Sequence, residues 1–441
     1  MLRRIGLSNF KCWKALDIEL APITLLFGAN SSGKSAILQS LLMLKQTARG
    51  FDPGQHINFG GGDGDYVDLG SYQDLVYSHD KHMDISISLT WEKAGVQLSR
   101  KVGAIWAEDP ADHLDIGKSI RYDVEWRTRR GIFINKLAFA TIENGNSTDA
   151  YVLRHKEDDS YALWMPGWDS EYEVGGFSPP RSCFILPSHK DWSFPHYSLE
   201  FEQLMFCVSY LGPLRGYPKR QYLWTGGKPS IVEPDGDHAI ELLIASSRDD
   251  GVLLREVGDR LKALDLAESF CVQPIDPGER VYEATASIGG IESALLDVGF
   301  GISQVLPVIT MLMSAPSGSI ILLEQPELHL HPNAQAALAD LMLEVAEKRN
   351  LQLIVESHSE HIVRRLQRRI AEASPAIAKP QNIKMYYCQP GEGGATIDEV
   401  VVDRFGQIVD WPEKFMGDIS GDIHSMAKAA IQRLHQERVS V

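Results

Sequence analysis

The stretch Gly28–Ser35, GANSSGKS, constrains the fold of this 441-residue chain more than any other. It matches the pattern G-x-x-x-x-G-K-S and lies between an apolar run, ITLLF, and a helical run, AILQSLL. Glycine at Gly28 and Gly33 lets backbone N–H groups curve around phosphate oxygens, and the helix N-terminus adds partial positive charge. The pattern predicts a phosphate-binding loop between a strand and a helix of an α/β fold.

Two side chains in this loop have predicted roles in nucleotide binding. Lys34 is expected to bridge the β and γ phosphates, and Ser35 is expected to hold Mg²⁺. The residues predicted to contact the nucleotide here are Gly28, Ala29, Asn30, Ser31, Ser32, Gly33, Lys34, Ser35 and Ala36. We therefore expect ATP and Mg²⁺ as cofactors.

A second run, IILLEQPELHLHP, places a carboxylate after four apolar residues. Glu324 is thereby expected at the C-terminal edge of a buried strand, where it would bind Mg²⁺ through water. Lys34 and Glu324 are about 290 residues apart, although compact phosphate-loop folds keep these two elements within one short domain. We infer that a large insertion divides the sheet.

This run resembles the Walker B and D-loop segment of ABC-type ATPases, an apolar strand followed by D-E-P-x-x-x-L-D-P. The resemblance aligns Glu324-Gln325-Pro326 and Leu330-His331-Pro332 with that pattern. Where the family has the glutamate that polarises the attacking water, this chain has Gln325, whose neutral amide accepts no proton. Because of this neutral amide we expect slow hydrolysis. Either Gln325 positions the water without proton abstraction or Glu327 is the base.

Histidines follow both apolar runs. The strand LQLIVES leads to His358, and the ABC-type resemblance implies a switch histidine there that contacts the γ-phosphate. His329 and His331 form an HxH pair, but no further His/Cys cluster accompanies them, which disfavours zinc. His331 occupies the D-loop aspartate position, so a role across a dimer interface is the preferred interpretation.

The segment DVGFGISQVLPVITML places glycines before a predicted helix whose first turn contains Pro307. It loosely resembles the LSGGQ turn with which one ABC-type subunit caps the γ-phosphate bound by another. The residues that carry this resemblance are Gly299, Gly301, Ser303 and Gln304. The implied assembly is a homodimer, or a higher homo-oligomer, that encloses ATP between copies.

The complete pattern is similar to the split heads of structural-maintenance-of-chromosomes and RecF-like proteins, beginning with NFK at Asn9–Lys11. The wording EQPExHLHP and SHSEH is similar to bacterial overcoming-lysogenisation and Septu phage-defence ATPases. The likeness covers residues 1–80 and 290–370. It implies a split ABC-type P-loop ATPase head of α/β class. Between the halves, β-rich runs after residue 83 predict an antiparallel β subdomain, and helical patterns from Leu199 predict a helical insertion.

Overcoming-lysogenisation nucleases append a TOPRIM domain with an acidic DxD cluster, which the tail after Arg369 lacks. The resemblance therefore implies a phage-defence ATPase that regulates a separate effector, a nuclease or a toxin. The alternative is a RecF-like repair or recombination ATPase that clamps DNA. A transporter subunit is disfavoured by the long insertion.

Composition limits the partners and the compartment. The net charge is -16, which excludes a generally basic nucleic-acid surface and leaves only local patches as candidates. The candidate patches are Arg364, Arg365, Arg368 and Arg369, then Arg127–Arg130 after Trp126, and finally Arg215, Lys219 and Arg220. Five scattered cysteines and the absence of a long apolar run predict a reduced, cytoplasmic protein that does not span a membrane.

The organisation predicted along the chain has five parts. They are an N-terminal half-head (1–80), a β-rich subdomain (81–198), a helical insertion (199–287), a C-terminal half-head (288–378) and a tail subdomain (379–441). The two half-heads are expected to share one buried sheet that includes both RIGLSNF and ITLLFG. Asp63-Gly64 predicts a surface hairpin within residues 56–77. The sequence has no sustained heptad repeat, so we expect no long coiled-coil arm.

Overall fold

A computed structural model describes the backbone over eleven ranges and one single residue. They are 1–49, 57–80, 82–92, 116–127, 131–143, 146–155, 161–164, 172–174, 195–229, 231–409, 426 and 428–429. Within the predicted tail subdomain, the segment WPEKF (411–415) and most of the residues after it lie outside these ranges; Met426, Lys428 and Ala429 are helical.

An eight-stranded antiparallel sheet forms in the described part of the N-terminal region. Its strands are β1 (Leu2–Phe10), β2 (Trp13–Glu19), β4 (Ile85–Glu92), β5 (Ile116–Arg127), β6 (Gly131–Glu143), β7 (Asn146–His155), β8 (Tyr161–Trp164) and β9 (Tyr172–Val174). The order is β2-β1-β4-β5-β6-β7-β8-β9. The β-rich region after residue 81 thus extends the sheet that the first two strands begin.

A second sheet of six described strands forms the centre of the head. Its strands are β3 (Ile23–Gly28), β10 (Val208–Leu211), β15 (Ile320–Glu324), β16 (Gln352–Glu356), β17 (Ile383–Gln389) and β18 (Thr396–Glu399). The order is β10-β15-β16-β3-β17-β18, and all pairs are parallel except β17 with β18. The two half-heads therefore share this sheet as predicted. Strand β3 comes from the N-terminal half-head, and β15 and β16 come from the C-terminal half-head.

A smaller sheet and the helices cover the central sheet. The small sheet contains β11 (Tyr222–Leu223), β12 (Ser269–Pro274), β13 (Val281–Ile288) and β14 (Ile291–Ala294). The α-helices of the described ranges are α1 (Lys34–Arg49), α2 (Tyr72–Leu75), α3 (Pro195–Phe206), α4 (Ala239–Arg248), α5 (Val252–Ala263), α6 (Phe300–Ser314), α7 (Pro332–Lys348) and α8 (Glu360–Glu372). None of these described helices has the length and apolar composition that crossing a bilayer requires.

The central strands are buried on both faces, so neighbouring residues point into two different cores. Leu25 and Val355 pack in the core that includes α4–α8, whereas Leu26 and Ile354 pack in the core shared with α1 and the antiparallel sheet. This alternation is the period of two expected for strands. The parallel sheet is therefore the middle layer, and its C-terminal edge is fixed from both sides.

A buried glutamine joins the two large sheets. Gln352, at the start of β16, accepts from the backbone N–H of Leu2 at 2.8 Å and donates to the Leu2 carbonyl at 2.7 Å. Its amide also donates to the Ala21 carbonyl at 3.1 Å. The N-terminal strand is thus anchored to a residue 350 positions later in the chain.

Several sequence-based expectations need correction. RIGLSNF does not join the parallel sheet, because β1 pairs with β2 and β4 on the antiparallel side. The predicted hairpin is wrong, since the described part of that segment, 57–77, has a turn at Asp63-Gly64 but no flanking strands. Instead, the side-chain amide of Gln46, on α1, hydrogen-bonds to the backbone of Asn58, Tyr66 and Val67. These bonds replace the strand pairing that a hairpin would have.

Two further differences concern the region before Glu324. The insertion predicted as helical contains α4 and α5, but it also contains β10–β13, and β10 belongs to the central sheet. Pro307 does not lie in a first helical turn: α6 begins at Phe300, earlier than the apolar run suggested, and Pro307 lies in its interior. Burial of residues 302–313 of α6 stabilises the helix despite this proline.

Candidate active site

The loop between β3 and α1 is tightly curled. Gly28 and Gly33 have φ values of 141° and 92°, which glycine adopts without a steric penalty. A Cβ at Gly33 would lie 2.5 Å from the Cys12 sulfur, so the β1–β2 turn also approaches too closely for a side chain. The Lys34 ammonium donates to the Ala29 carbonyl at 2.7 Å and to the Gly28 carbonyl at 3.2 Å. The lysine is therefore folded back over its own loop.

Lys34 is almost completely buried, with 3% of its surface exposed. Burial lowers the pKa of its ammonium, and the nearby carboxylates of Glu356 and Glu324 oppose that shift. A buried ammonium needs compensating negative charge or hydrogen bonds. The loop carbonyls and the two carboxylates provide both.

Two carboxylates lie side by side at the end of the parallel sheet. Glu324 ends β15, Glu356 ends β16, and the two residues are direct register partners. The Tyr210 hydroxyl, on β10, donates to Glu324 at 2.9 Å. Burial, together with the Glu356 charge, raises the pKa of Glu324 to about 7, while the Tyr210 bond and Lys34 act in the opposite direction.

Glu356 is a site residue that the sequence reasoning missed. Its Oε2 accepts from the Ser35 hydroxyl at 2.8 Å, and its Oε1 lies 3.8 Å from Lys34 Nζ. Burial raises the pKa of this carboxyl, and Ser35 and Lys34 oppose the shift. The signal was available, because a glutamate ends the apolar run LQLIV just as Glu324 ends IILL.

The donor set of this cluster fits Mg²⁺. Ser35 offers a hydroxyl and the two glutamates offer carboxylates, all of them the hard oxygen ligands that Mg²⁺ takes. Among the described residues no group of three or more His, Cys, Asp or Glu could form a metal cage from protein alone. Mg²⁺ is commonly held by one or two carboxylates together with substrate phosphates, so this smaller set suits a nucleotide-bound ion.

The two residues proposed for water activation are held by different hydrogen bonds. Gln325 has a φ of 44°, and its backbone N–H donates to the Glu356 carbonyl at 2.8 Å. Glu327 is buried, and its Oε1 accepts from the Ser357 hydroxyl at 2.8 Å and from the His358 backbone N–H at 2.7 Å. Burial raises the pKa of Glu327. Its carboxyl therefore holds the loop that carries His358.

His358 lies two residues after the end of β16 and is exposed. Partial burial and the Lys34 charge lower the pKa of its imidazole. The ring is consequently neutral at neutral pH and is able to accept or donate one hydrogen bond. The Lys34 charge acts on this ring, and contact of His358 with the γ-phosphate stays a prediction.

The candidate signature residues lie at the start of α6. Gly299 is the N-cap, and Gly301, Ser303 and Gln304 are inside the helix, where the Ser303 hydroxyl donates to the Phe300 carbonyl at 2.8 Å. A Cβ at Gly301 would lie 2.8 Å from the His329 carbonyl oxygen.

Ser303 and Gln304 are buried as well. Among the four, Gly299 alone has open space on its side-chain side.

Arg215 connects this helix to the carboxylate strand. Its guanidinium donates to the carbonyls of Glu324 at 3.0 Å, Gln325 at 3.3 Å and Gln304 at 3.2 Å. Burial lowers the pKa of Arg215 to about 10, and the Glu327 carboxylate opposes the shift. Arg215 is thus a buried clamp rather than the surface phosphate contact considered from the sequence.

The two histidines of the HxH pair have separate surroundings. His331 is the N-cap of α7, and its Nδ1 accepts from the Asn333 N–H at 3.4 Å. The His329 ring packs edge-on against Phe300, with 4.7 Å between ring centroids, and Tyr217 lies 5.4 Å beyond Phe300. His329 therefore belongs to an aromatic row beside the start of α6.

Apart from Arg215, which donates to backbone carbonyls, the arginines considered for nucleic-acid contact are paired with acids wherever the structure describes their side chains. The pairs are Arg364 with Glu360, Arg365 and Arg369 with Asp340, Arg368 with Glu372, and Arg220 with Asp297. Arg127 ends β5, and residues 128–130 lie outside the described ranges. These pairs give the α8 face little unpaired positive charge.

Comparisons with known proteins agree with this geometry. The model of the AAA ATPase domain family matches residues 1–161 and 259–363, and that of a family described as a protein of unknown function, DUF3696, matches 379–426. The OLD nuclease of Thermus scotoductus is 23% identical over 376 residues, which are 81% of this chain and 59% of that protein. This chain therefore matches less than two thirds of the length of that relative.

Two solved structures align with most of this chain. The SMC head bound to the C-winged helix domain of ScpA has a TM-score of 0.46 and 14% identity over 91% of this chain and 98% of its own. The SMC head domain from Thermotoga maritima has a TM-score of 0.40 and 13% identity over 91% and 99% of the two chains. Because both scores are below 0.5, the fold assignment rests on the strand order, the loop and the family match.

Proposed function

This chain belongs to the AAA ATPase domain family, and from that membership we propose that it is a slow, cytoplasmic nucleotide switch. Two copies enclose ATP and Mg²⁺ between them, and this closure controls a separate effector protein in bacterial antiphage defence. The observation that carries the proposal is the convergence of Lys34, Ser35 and Glu324 on one edge of the central sheet.

The proposed binding mode assigns a task to each group of this edge. Lys34 exchanges its loop carbonyls for phosphate oxygens, and His358 contacts the γ-phosphate from the adjacent strand end. Ser35 and Glu324 hold Mg²⁺, which, when bound, neutralises the charge that develops on the phosphates. Gln325 orients water without accepting a proton, and this accounts for slow hydrolysis.

The start of α6 supports the proposed dimer. Nothing lies within 4 Å of a Cβ built on Gly299, and the neighbouring Phe300 is 37% exposed. The first N–H groups of a helix lack partners within the helix and attract phosphate. This end is therefore available to a nucleotide presented by a second copy.

The effector is inferred from relatives. The match to a protein named OLD nuclease supports a link to nucleic-acid cleavage, and the phage-defence resemblance implies that the head gates such an activity. We assign the cleavage to a separate protein, a nuclease or a toxin. The paired arginines of α8 give no support to the alternative DNA clamp.

Light scattering with ATP and Mg²⁺ tests the switch. Wild type is expected to double its mass, whereas Lys34→Ala stays monomeric; Lys228→Ala, which changes an exposed lysine paired with Asp249, behaves as wild type. A wild-type protein that binds ATP and remains monomeric contradicts the dimer. Salt-sensitive, ATP-dependent binding to duplex DNA, in place of co-purification with the product of a neighbouring gene, would favour the DNA clamp.

A further inference from the structure

We propose that Glu356 is the second carboxylate of the Mg²⁺–nucleotide site, so that the metal is held between β15 and β16 by Glu324 and Glu356 with Ser35. This inference rests on the proposed nucleotide function and adds a metal-binding residue to it. Neither the motif order nor the family resemblance assigned a role to Glu356.

The geometry places Glu356 directly at the predicted metal ligands. Its Oε2 accepts from the Ser35 hydroxyl at 2.8 Å, and its backbone is in register with Glu324 on the next strand. Only 5% of Glu356 and 9% of Glu324 are exposed. Glu356 therefore joins Ser35, in the first turn of α1, to the buried strand end at which Glu324 lies.

The charge balance of this edge calls for a cation. Two neighbouring buried carboxylates repel each other, and burial penalises each charge further. Within the described cluster, Lys34 is the cation nearest to Glu356, at 3.8 Å, so one ammonium faces two acids. A divalent cation with oxygen ligands would neutralise the pair, and Mg²⁺ accepts one or two carboxylates beside phosphate oxygens.

The same arrangement makes binding of the nucleotide depend on the metal. Lys34 is held by the Ala29 and Gly28 carbonyls, and the Ser35 hydroxyl is held by Glu356. Phosphate oxygens brought to this loop meet the negative charge of Glu356. With Mg²⁺ between them, the carboxylate and the phosphate are both attracted to the metal. Without Mg²⁺, the carboxylate repels the phosphate. A purely structural acceptor for Ser35 would show no such change of sign.

The experiment measures binding of a fluorescent ATP analogue at rising Mg²⁺ and, separately, in EDTA. We expect Glu356→Gln to raise the Mg²⁺ concentration for half-maximal binding by roughly 10- to 100-fold. In EDTA the same variant should bind the nucleotide several-fold more tightly than wild type, because the repelling charge is gone. Mn²⁺ binding followed by electron paramagnetic resonance provides a readout independent of turnover.

Two further variants keep the test decisive. Glu360→Gln removes a carboxylate four residues later that pairs with Arg364, and it should leave both titrations unchanged. Glu356→Asp retains the charge and should fall between wild type and Glu356→Gln, which covers the case in which Glu356→Gln does not fold.

The outcomes separate the two proposals. Wild type that binds Mg²⁺–nucleotide, with Glu356→Gln unchanged or weakened equally in Mg²⁺ and EDTA, overturns the metal role alone. Wild type that binds no nucleotide under either condition overturns the proposed function, and this inference with it.

Discussion

The C-terminal edge of the central sheet and the start of α6 differ in how completely contacts within one chain surround them. At the sheet edge, Lys34 is 3% exposed and the two glutamates are bonded to Ser35 and Tyr210. At the start of α6, Gly299 faces open space. The first region is therefore packed within one chain, whereas the second leaves the N-cap of α6 uncovered.

Arg215 is the physical link between these two regions. It donates to the backbone of Glu324 and Gln325 on one side and to Gln304 of α6 on the other. A movement of α6 is therefore transmitted to the carboxylate strand through this guanidinium. Substitutions can test whether Arg215 joins the two regions and whether each region otherwise behaves independently.

Breaking the link should give the largest effect. Arg215→Met leaves three carbonyls without their donor and removes the positive charge opposite Glu327, so unfolding should become easier by about 3 kcal/mol. Chemical denaturation measures this change. Arg220→Met, which removes an exposed arginine of the same loop paired with Asp297, should cost less than ~0.5 kcal/mol. Equal losses in the two variants would contradict a clamp at Arg215.

Two glycine substitutions should separate the packing of α6 within the chain from its contact with a second copy. Gly301→Ala places a methyl group against the His329 carbonyl, so the chain should lose about 1–2 kcal/mol of stability. Gly299→Ala meets no atom within 4 Å, so thermal unfolding should change little. If this end faces a second copy, Gly299→Ala should still weaken ATP-dependent dimerisation in light scattering. Normal dimerisation of Gly299→Ala would place the partner's nucleotide elsewhere.

The smallest effect concerns the sheet edge alone. Gln325→Glu introduces a carboxylate able to accept a proton at the water-polarising position, and turnover in a phosphate-release assay should rise several-fold. Nucleotide affinity should stay within a factor of about two if the change acts only on the chemical step. Unchanged turnover would indicate that the base lies elsewhere, with Glu327 as the next candidate.

The sequence predicted the parts of the site whose signals are local. GANSSGKS lies between its own strand and helix, and the apolar run before Glu324 predicts a strand end, so both positions follow from short stretches. The first two predictions needed only the adjoining strand or helix. His358 was predicted from the order of motifs, and the Lys34 charge lowers the pKa of its imidazole.

The parts that were missed depend on contacts distant in sequence. The partners of Arg215 are 89 to 110 residues away, so its burial had no local signature and it was grouped with surface arginines. Glu356 gained its role from Ser35, 321 residues earlier. Strand β10 pairs with β15 more than 100 residues later and lies within a predominantly helical pattern. No periodicity within a short window reports such pairings.

The position of β3 between β16 and β17 has a consequence for how the chain is made. Both neighbours of the strand that begins the phosphate-binding loop come from residues beyond Gln352. At typical synthesis rates of 5–20 residues per second, roughly 20 to 70 seconds separate β3 from its second neighbour on the ribosome. For most of that interval, until β16 is made, the apolar run ITLLF has neither of its parallel partners. A chain that stalls before β16 therefore carries the loop sequence without the strands that shape it, and exposes a strand ready to pair wrongly.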